Sequence, residues 1–160
     1  MFEVGDSVIY KRDVCIIKEI RKDIINEMDY YVLSPIDDKS LTINVPIKNS
    51  LNLIRNAISN KEVENLIKKI PNIKTLDIYS KTLDNEYREL FYSGSLEDLI
   101  TIIKTTYLRN NARISQNKKP SEKDNSLFIK AEKLLYNELS VSLGKTFDET
   151  KQYVIDRINN

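Results

Sequence analysis

The period of the apolar residues changes once along this chain, between Pro46 and Lys61, and that change limits what the chain can fold into. Before it, β-branched and aromatic residues come in short runs: Val8-Ile9-Tyr10, Val14-Cys15-Ile16-Ile17, Tyr30-Tyr31-Val32-Leu33 and Leu41-Thr42-Ile43-Asn44-Val45-Pro46. Gly5-Asp6, Lys11-Arg12-Asp13, Asn26-Glu27 and the stretch from Ser34 to Lys39 break the runs, so they read as strands joined by turns. About five strands in about 45 residues is the pattern of a small barrel. The spacing leaves no room for crossover helices between parallel strands. From Lys18 to Asp23 charges alternate with Ile20, which predicts an edge strand with a solvated face. Pro46 lacks an N–H and is expected to end the last strand.

After Lys61 the pattern is helical. Val63, Leu66, Ile67 and Ile70 lie on one helical face, and Pro71 ends it. A second helix is expected from about Thr82 to Tyr92, capped by Gly94. Ser95 caps a third, whose apolar face carries Leu96, Leu99, Ile100, Ile103 and Tyr107 and which runs to about Arg109. Ser121 and Asp124 open a fourth that stops at Gly144, and Thr146 to Glu149 is a capping box for a last one. The expectation is an α+β chain: a five-stranded barrel over residues 1–55, leaning on its neighbour or a partner for stability, then an all-α bundle over 56–160.

Composition removes most catalytic chemistries. The chain has no His and a single Cys, so neither a Ser-His nor a Cys-His dyad can be built, and one Cys does not make a zinc site. Its Gly residues are too few and too scattered for a phosphate-cradling loop. Cys15, inside an apolar run, reads as a buried strand residue. The expectation is a binding protein without catalytic residues, metal, cofactor or small-molecule substrate. No signal peptide or membrane-length apolar run is present, which points to the cytoplasm.

Lys and Arg number 25 against 24 Asp and Glu, so the chain is nearly neutral. From Lys104 to Lys133, however, eight basic side chains face three acidic ones, a local charge of +5. Those eight include Arg109, Arg113, Lys118, Lys119, Lys123, Lys130 and Lys133. A basic window on a neutral chain predicts phosphate contact by one face; the alternative is a helix pair whose lysines only keep it soluble.

The opening Met1-Phe2-Glu3-Val4-Gly5-Asp6-Ser7-Val8-Ile9-Tyr10, then Tyr30 to Leu33, Leu41 to Pro46, and Tyr92-Ser93-Gly94-Ser95 resemble, in this order, the CarD-like (CdnL) family of bacterial transcription regulators. The N-terminal motif is shared with the polymerase-binding domain of the transcription-repair coupling factor. The resemblance implies a Tudor/SH3-like barrel that binds the RNA polymerase β-subunit lobe, through Arg21, Lys22, Ile43, Asn44, Val45 and Pro46. It also implies a helical domain that contacts promoter DNA at the upstream bubble edge, largely independent of sequence, in a monomer.

This chain departs from the family in places. The family's wedge Trp is missing, and by spacing its position falls on Ser80, with Tyr79 beside it; Tyr79 is read either as a replacement wedge or as part of the bundle. Asn44 is neutral where some members are basic, and Tyr10 is followed by Lys11-Arg12-Asp13 instead of Pro and a His-Gly turn. The DNA-facing residues expected from the resemblance are Tyr79, Ser80, Arg109, Arg113, Lys123, Lys130 and Lys133. The alternative is a protein-only adaptor of polymerase or another partner, without productive DNA contact.

Overall fold

A computed structural model describes residues 1–93 and 95–159 and divides the chain into two compact units, Met1–Ser59 and Asn60–Asn160. The first unit is a five-stranded antiparallel sheet: β1 (Ser7–Tyr10), β2 (Asp13–Asp23), β3 (Met28–Pro35), β4 (Ile43–Pro46) and β5 (Ile54–Arg55), in the order β4-β3-β2-β1-β5. β4 and β5 are its two ends, and no ladder joins them among the described residues.

Alternation along the strands sends Val8, Cys15, Ile17, Tyr31, Leu33, Val45 and Ile54 into one core, with Phe2, Tyr10, Ile43 and Ile47 packed at its margin. The N-terminus closes this core from one side. Tyr31 meets Phe2 edge to face at 5.9 Å and its hydroxyl accepts the Phe2 N–H at 3.1 Å. Gly5, at φ +94, turns the chain so that its N–H reaches the Ile17 carbonyl at 2.8 Å. Cys15 is fully buried, and burial, with Asp13 adding to it, pushes its thiol up to about 11.

Two expectations change here. Pro46 ends β4 but not the sheet, because the chain makes a 3-10 turn over Ile47–Asn52 and returns as β5 against β1. A two-residue strand has no period to read. β2 is also an interior strand, paired with β1 through Ile16 and with β3 to its end. A bulge between Ile17 and Glu19 shifts the register there; beyond it, from Glu19 to Asp23, β2 is paired on the β3 side only, which accounts for the charges.

Among the described residues the second unit has five α-helices: α1 (Asn60–Lys69), α2 (Leu83–Ser93), α3 (Leu96–Ser115), α4 (Glu122–Leu143) and α5 (Phe147–Asn159). The starts of α3, α4 and α5 follow from capping. Ser95 and Ser121 accept the Asp98 and Asp124 N–H groups, and Thr146 and Glu149 cap each other reciprocally at 3.1 and 3.2 Å. Gly144 ends α4 in the left-handed region at φ +63. The expected cap at Gly94 lies outside the described residues.

α3 runs past Arg109 to Ser115, further than its apolar pattern predicts, and its buried face differs. Leu99, Ile100, Ile102, Thr105 and Thr106 are buried, whereas Tyr107 is exposed. The two threonines are tolerated inside because their hydroxyls donate to the Thr101 and Ile102 carbonyls at 2.6 and 2.8 Å. α4 carries Ala131, Leu135 and Leu139 inward. Leu139→Ala, at a side chain with no exposure, should cost about 2–5 kcal/mol. Urea unfolding checks this as a lower midpoint with an unchanged slope.

Candidate functional site

In the first unit β4 positions one group of the expected residues. Val45 faces Tyr31 across the ladder and is buried in the core, so its side chain supports the strand. Ile43 is half-buried against the same core. Asn44 alternates to the other face, opposite Val32, and is exposed. The outer edge of β4 pairs with no described strand.

Asn44, Arg21 and Lys22 line one concavity of about 600 Å³ together with Tyr30 and the hairpin tip. Three of the six residues expected on this surface therefore meet at one place. Arg21 is held there by Glu19, whose Oε1 accepts its Nε–H at 2.8 Å. The pattern of runs gave no warning of Ile24 and Ile25, which share the concavity at 89% and 91% exposure. The tip that bears them is ordered: Asp23 Oδ1 accepts the Ile25 and Asn26 N–H groups at 3.0 and 3.2 Å, and Glu27 adopts φ +51. The available signal was an apolar pair placed inside a turn.

In the second unit Tyr79 is 77% exposed, so its ring is not part of the bundle core. Its N–H donates to Asp77 Oδ1 at 2.9 Å, which fixes the turn before α2. Ser80 serves the fold itself. Its hydroxyl donates to Glu86 Oε2 at 2.7 Å and accepts the Thr82 N–H at 3.2 Å, tying that turn to the start of α2.

The expected basic residues are mostly engaged within the unit. Lys123 pairs with Asp84 at 2.8 Å, Lys130 stands 5.4 Å from the centre of the Phe91 ring, and Arg113 donates its Nε–H to the Lys119 carbonyl at 2.9 Å. Lys133 is also in contact within the chain. Lys104 bonds the Ile70 and Ile73 carbonyls and holds the segment after α1. Arg109 bonds Asp124 Oδ1 at 3.2 Å.

Asp124 is the side chain that the sequence pattern did not single out for this role. It stands seven residues before Ala131 on the inner face of α4 and has no exposure. Its second oxygen, Oδ2, and the Tyr87 hydroxyl of α2 are buried without a direct partner among the described residues. Burial holds the Asp124 carboxyl above its ordinary range, against the pull of Arg109. Burial first, and Asp124 second, push Tyr87 up to about 12.

Among the described residues no group of His, Cys, Asp and Glu is arranged to hold a metal ion, and no helix is long and apolar enough to cross a membrane. No model of a known protein family matches the chain, and no curated protein matches it significantly.

The raised Asp124 value gives a pH test. The folded chain holds that proton more tightly than the unfolded chain, so the group's contribution is full below the ordinary value of 3.8 and is lost as pH rises through the folded value. The stability of the wild type minus that of Asp124→Asn, from urea unfolding, should therefore fall as pH rises across the acid range. A difference that grows with pH would mean that Arg109 governs the titration.

Proposed function

We propose that this chain is a CarD-like transcription regulator: its N-terminal unit, a Tudor-like barrel, docks on the β-subunit lobe of bacterial RNA polymerase, and its helical unit touches promoter DNA beside the bubble. The observation that carries this reading is the unpaired edge of β4 beside a concavity that gathers Arg21, Lys22, Asn44 and two exposed isoleucines. An unpaired edge accepts a strand from a partner, with backbone bonds giving affinity and neighbouring side chains giving choice. Arg21 and Lys22 favour an acidic residue on that strand, and Ile24 and Ile25 favour an apolar one.

On the DNA side Tyr79 is the residue on which the proposal rests. An exposed ring on an ordered turn can stack on an unpaired base or enter the minor groove. The protein would catalyse nothing. By binding the opened promoter better than the closed one, it would shift that equilibrium by the difference between the two affinities.

The second reading, a protein-only adaptor, is favoured by one observation: Arg109, Arg113, Lys123 and Lys130 each have a partner inside the chain. The two readings share the docking edge and differ at Tyr79.

Binding of the full chain to the isolated β lobe should be micromolar or tighter. Ile24→Asp with Ile25→Asp should weaken it at least tenfold, about 1.4 kcal/mol, and leave the fold intact because both side chains lie in solvent. A folded wild type that does not bind the lobe would end the polymerase reading. Tyr79→Ala should cost about 1–3 kcal/mol of affinity for a bubble-containing DNA in the polymerase complex. No loss in that variant would favour the adaptor.

A further inference from the structure

We infer that the β5 end of the sheet is a second docking groove, which takes an extended acidic-apolar segment of a partner protein. The groove is separate from the concavity beside β4, because β4 and β5 are the two ends of the strand order and the two hollows share no lining residue. It encloses about 290 Å³ between Ile9, Lys11 and residues 51–55. Its backbone is open: β5 pairs with β1 through Ile54 and Arg55, and with no described strand on its other side. Its apolar wall is Leu51, at 87% exposure, with Leu53 at 41%. The turn that bears them is ordered. Ser50 is buried, its hydroxyl donates to the Ile47 carbonyl at 2.9 Å, and its carbonyl accepts the Leu53 N–H at 3.0 Å.

Charge decides the occupant. Lys11 and Arg55, both exposed, line the groove, and no Asp or Glu joins them there among the described residues. The sequence around β5 supplies none either, since from Lys39 to Lys61 the chain has no acidic residue. Lys11 Nζ stands 5.4 Å from the centre of the Tyr10 ring and pairs with no carboxylate of the described residues. Lys11 also sits at φ +58 in the turn between β1 and β2, a conformation that glycine adopts without strain. Strain of this kind persists where the side chain has a use. A phosphate backbone would meet the two cations but would leave Leu51 and Leu53 in water. A peptide strand satisfies all three features at once: its backbone pairs with β5, its carboxylates face Lys11 and Arg55, and an apolar side chain covers Leu51. With a partner at each end, the sheet would bridge two proteins.

The test is fluorescence anisotropy of the full chain with a short labelled peptide in which leucine alternates with glutamate, and with a control peptide that carries lysine for glutamate. The acidic peptide should bind and the basic one should not. Leu51→Asp should weaken binding about tenfold, by removing an apolar contact and repelling glutamate. Lys11→Gly should weaken it about threefold, as the loss of one exposed ion pair does, while the urea midpoint stays level or rises. Ile24→Asp with Ile25→Asp should change nothing. Leu51 and Lys11 lie in solvent, so both variants keep the fold, which circular dichroism verifies. A wild type that does not bind, equal binding of both peptides, or an unchanged affinity in Leu51→Asp overturns the inference. Loss in the double isoleucine variant alone would place the peptide beside β4 and overturn it too. Labelled duplex DNA that Lys11→Gly weakens and Leu51→Asp does not would assign the cations to phosphate, with the same result. Polymerase takes no part in the assay, so each of these outcomes leaves the polymerase reading to its own test.

Discussion

A carboxylate taken out of water has to be matched by a cation, and much of the helical unit is arranged around that requirement at Asp124. The residue occupies a core-facing position of α4, where Ala131 and Glu138 follow at intervals of seven. Arg109 reaches it from α3 at 3.2 Å while remaining one-third exposed, so the cation stays partly hydrated while the anion does not. Next along α4, Lys123 pairs with Asp84 of α2. The first turn of α4 is therefore tied to two helices by opposite charges. Removing Arg109 costs more than its pair is worth, because Asp124 is then left buried and unmatched, whereas the exposed Lys123–Asp84 pair adds little.

That requirement also decides which cations remain for outside work. A window with a charge of +5 reads in sequence as one basic surface, yet several of its members neutralise, cover or tether groups of their own unit. Charge counted along a sequence cannot separate a guanidinium that holds a buried carboxylate from an ammonium in water. The separation depends on which residues the packing brings within about 4 Å, the distance at which an ion pair forms.

The same limit explains what was legible. Helix starts at Ser95, Ser121 and Thr146 could be read because a cap is a local bond between residues three apart. The strands around Val8, Cys15 and Tyr31 could be read because short apolar runs bounded by turn residues are local too. β5 could not, since Ile54 and Arg55 become a strand only by finding β1 some forty-five residues earlier. Asp124 read as a first-turn acid beside its cap, which it is; its burial depends on α2 and α3. The meeting of Arg21, Lys22 and Asn44 with Ile24 and Ile25 likewise depends on the register of β2, β3 and β4. Sheet proteins commonly blunt an edge with charge or proline. β4 ends in Pro46 but presents a neutral Asn44, and isoleucines that are nearly fully exposed stand beside it. Such an edge is an aggregation hazard unless something covers it, which is a physical reason to look for a docking partner there.

On the proposed reading, near-neutrality and DNA contact are compatible because the two units share one chain. One aromatic ring among basic side chains largely engaged within their own unit makes a weak ligand for duplex DNA, and at physiological salt much of the remaining electrostatic attraction is screened. A unit already docked on polymerase converts the second contact into an intramolecular one, at effective concentrations that reach the millimolar range for short linkers. Weak contacts of this kind can then bias an equilibrium. A strongly basic second unit would bind closed and open promoters alike and shift nothing, since only differential affinity moves a population. An exposed ring, with Arg109, Arg113, Lys123 and Lys130 engaged by groups of their own unit, suits discrimination better than affinity.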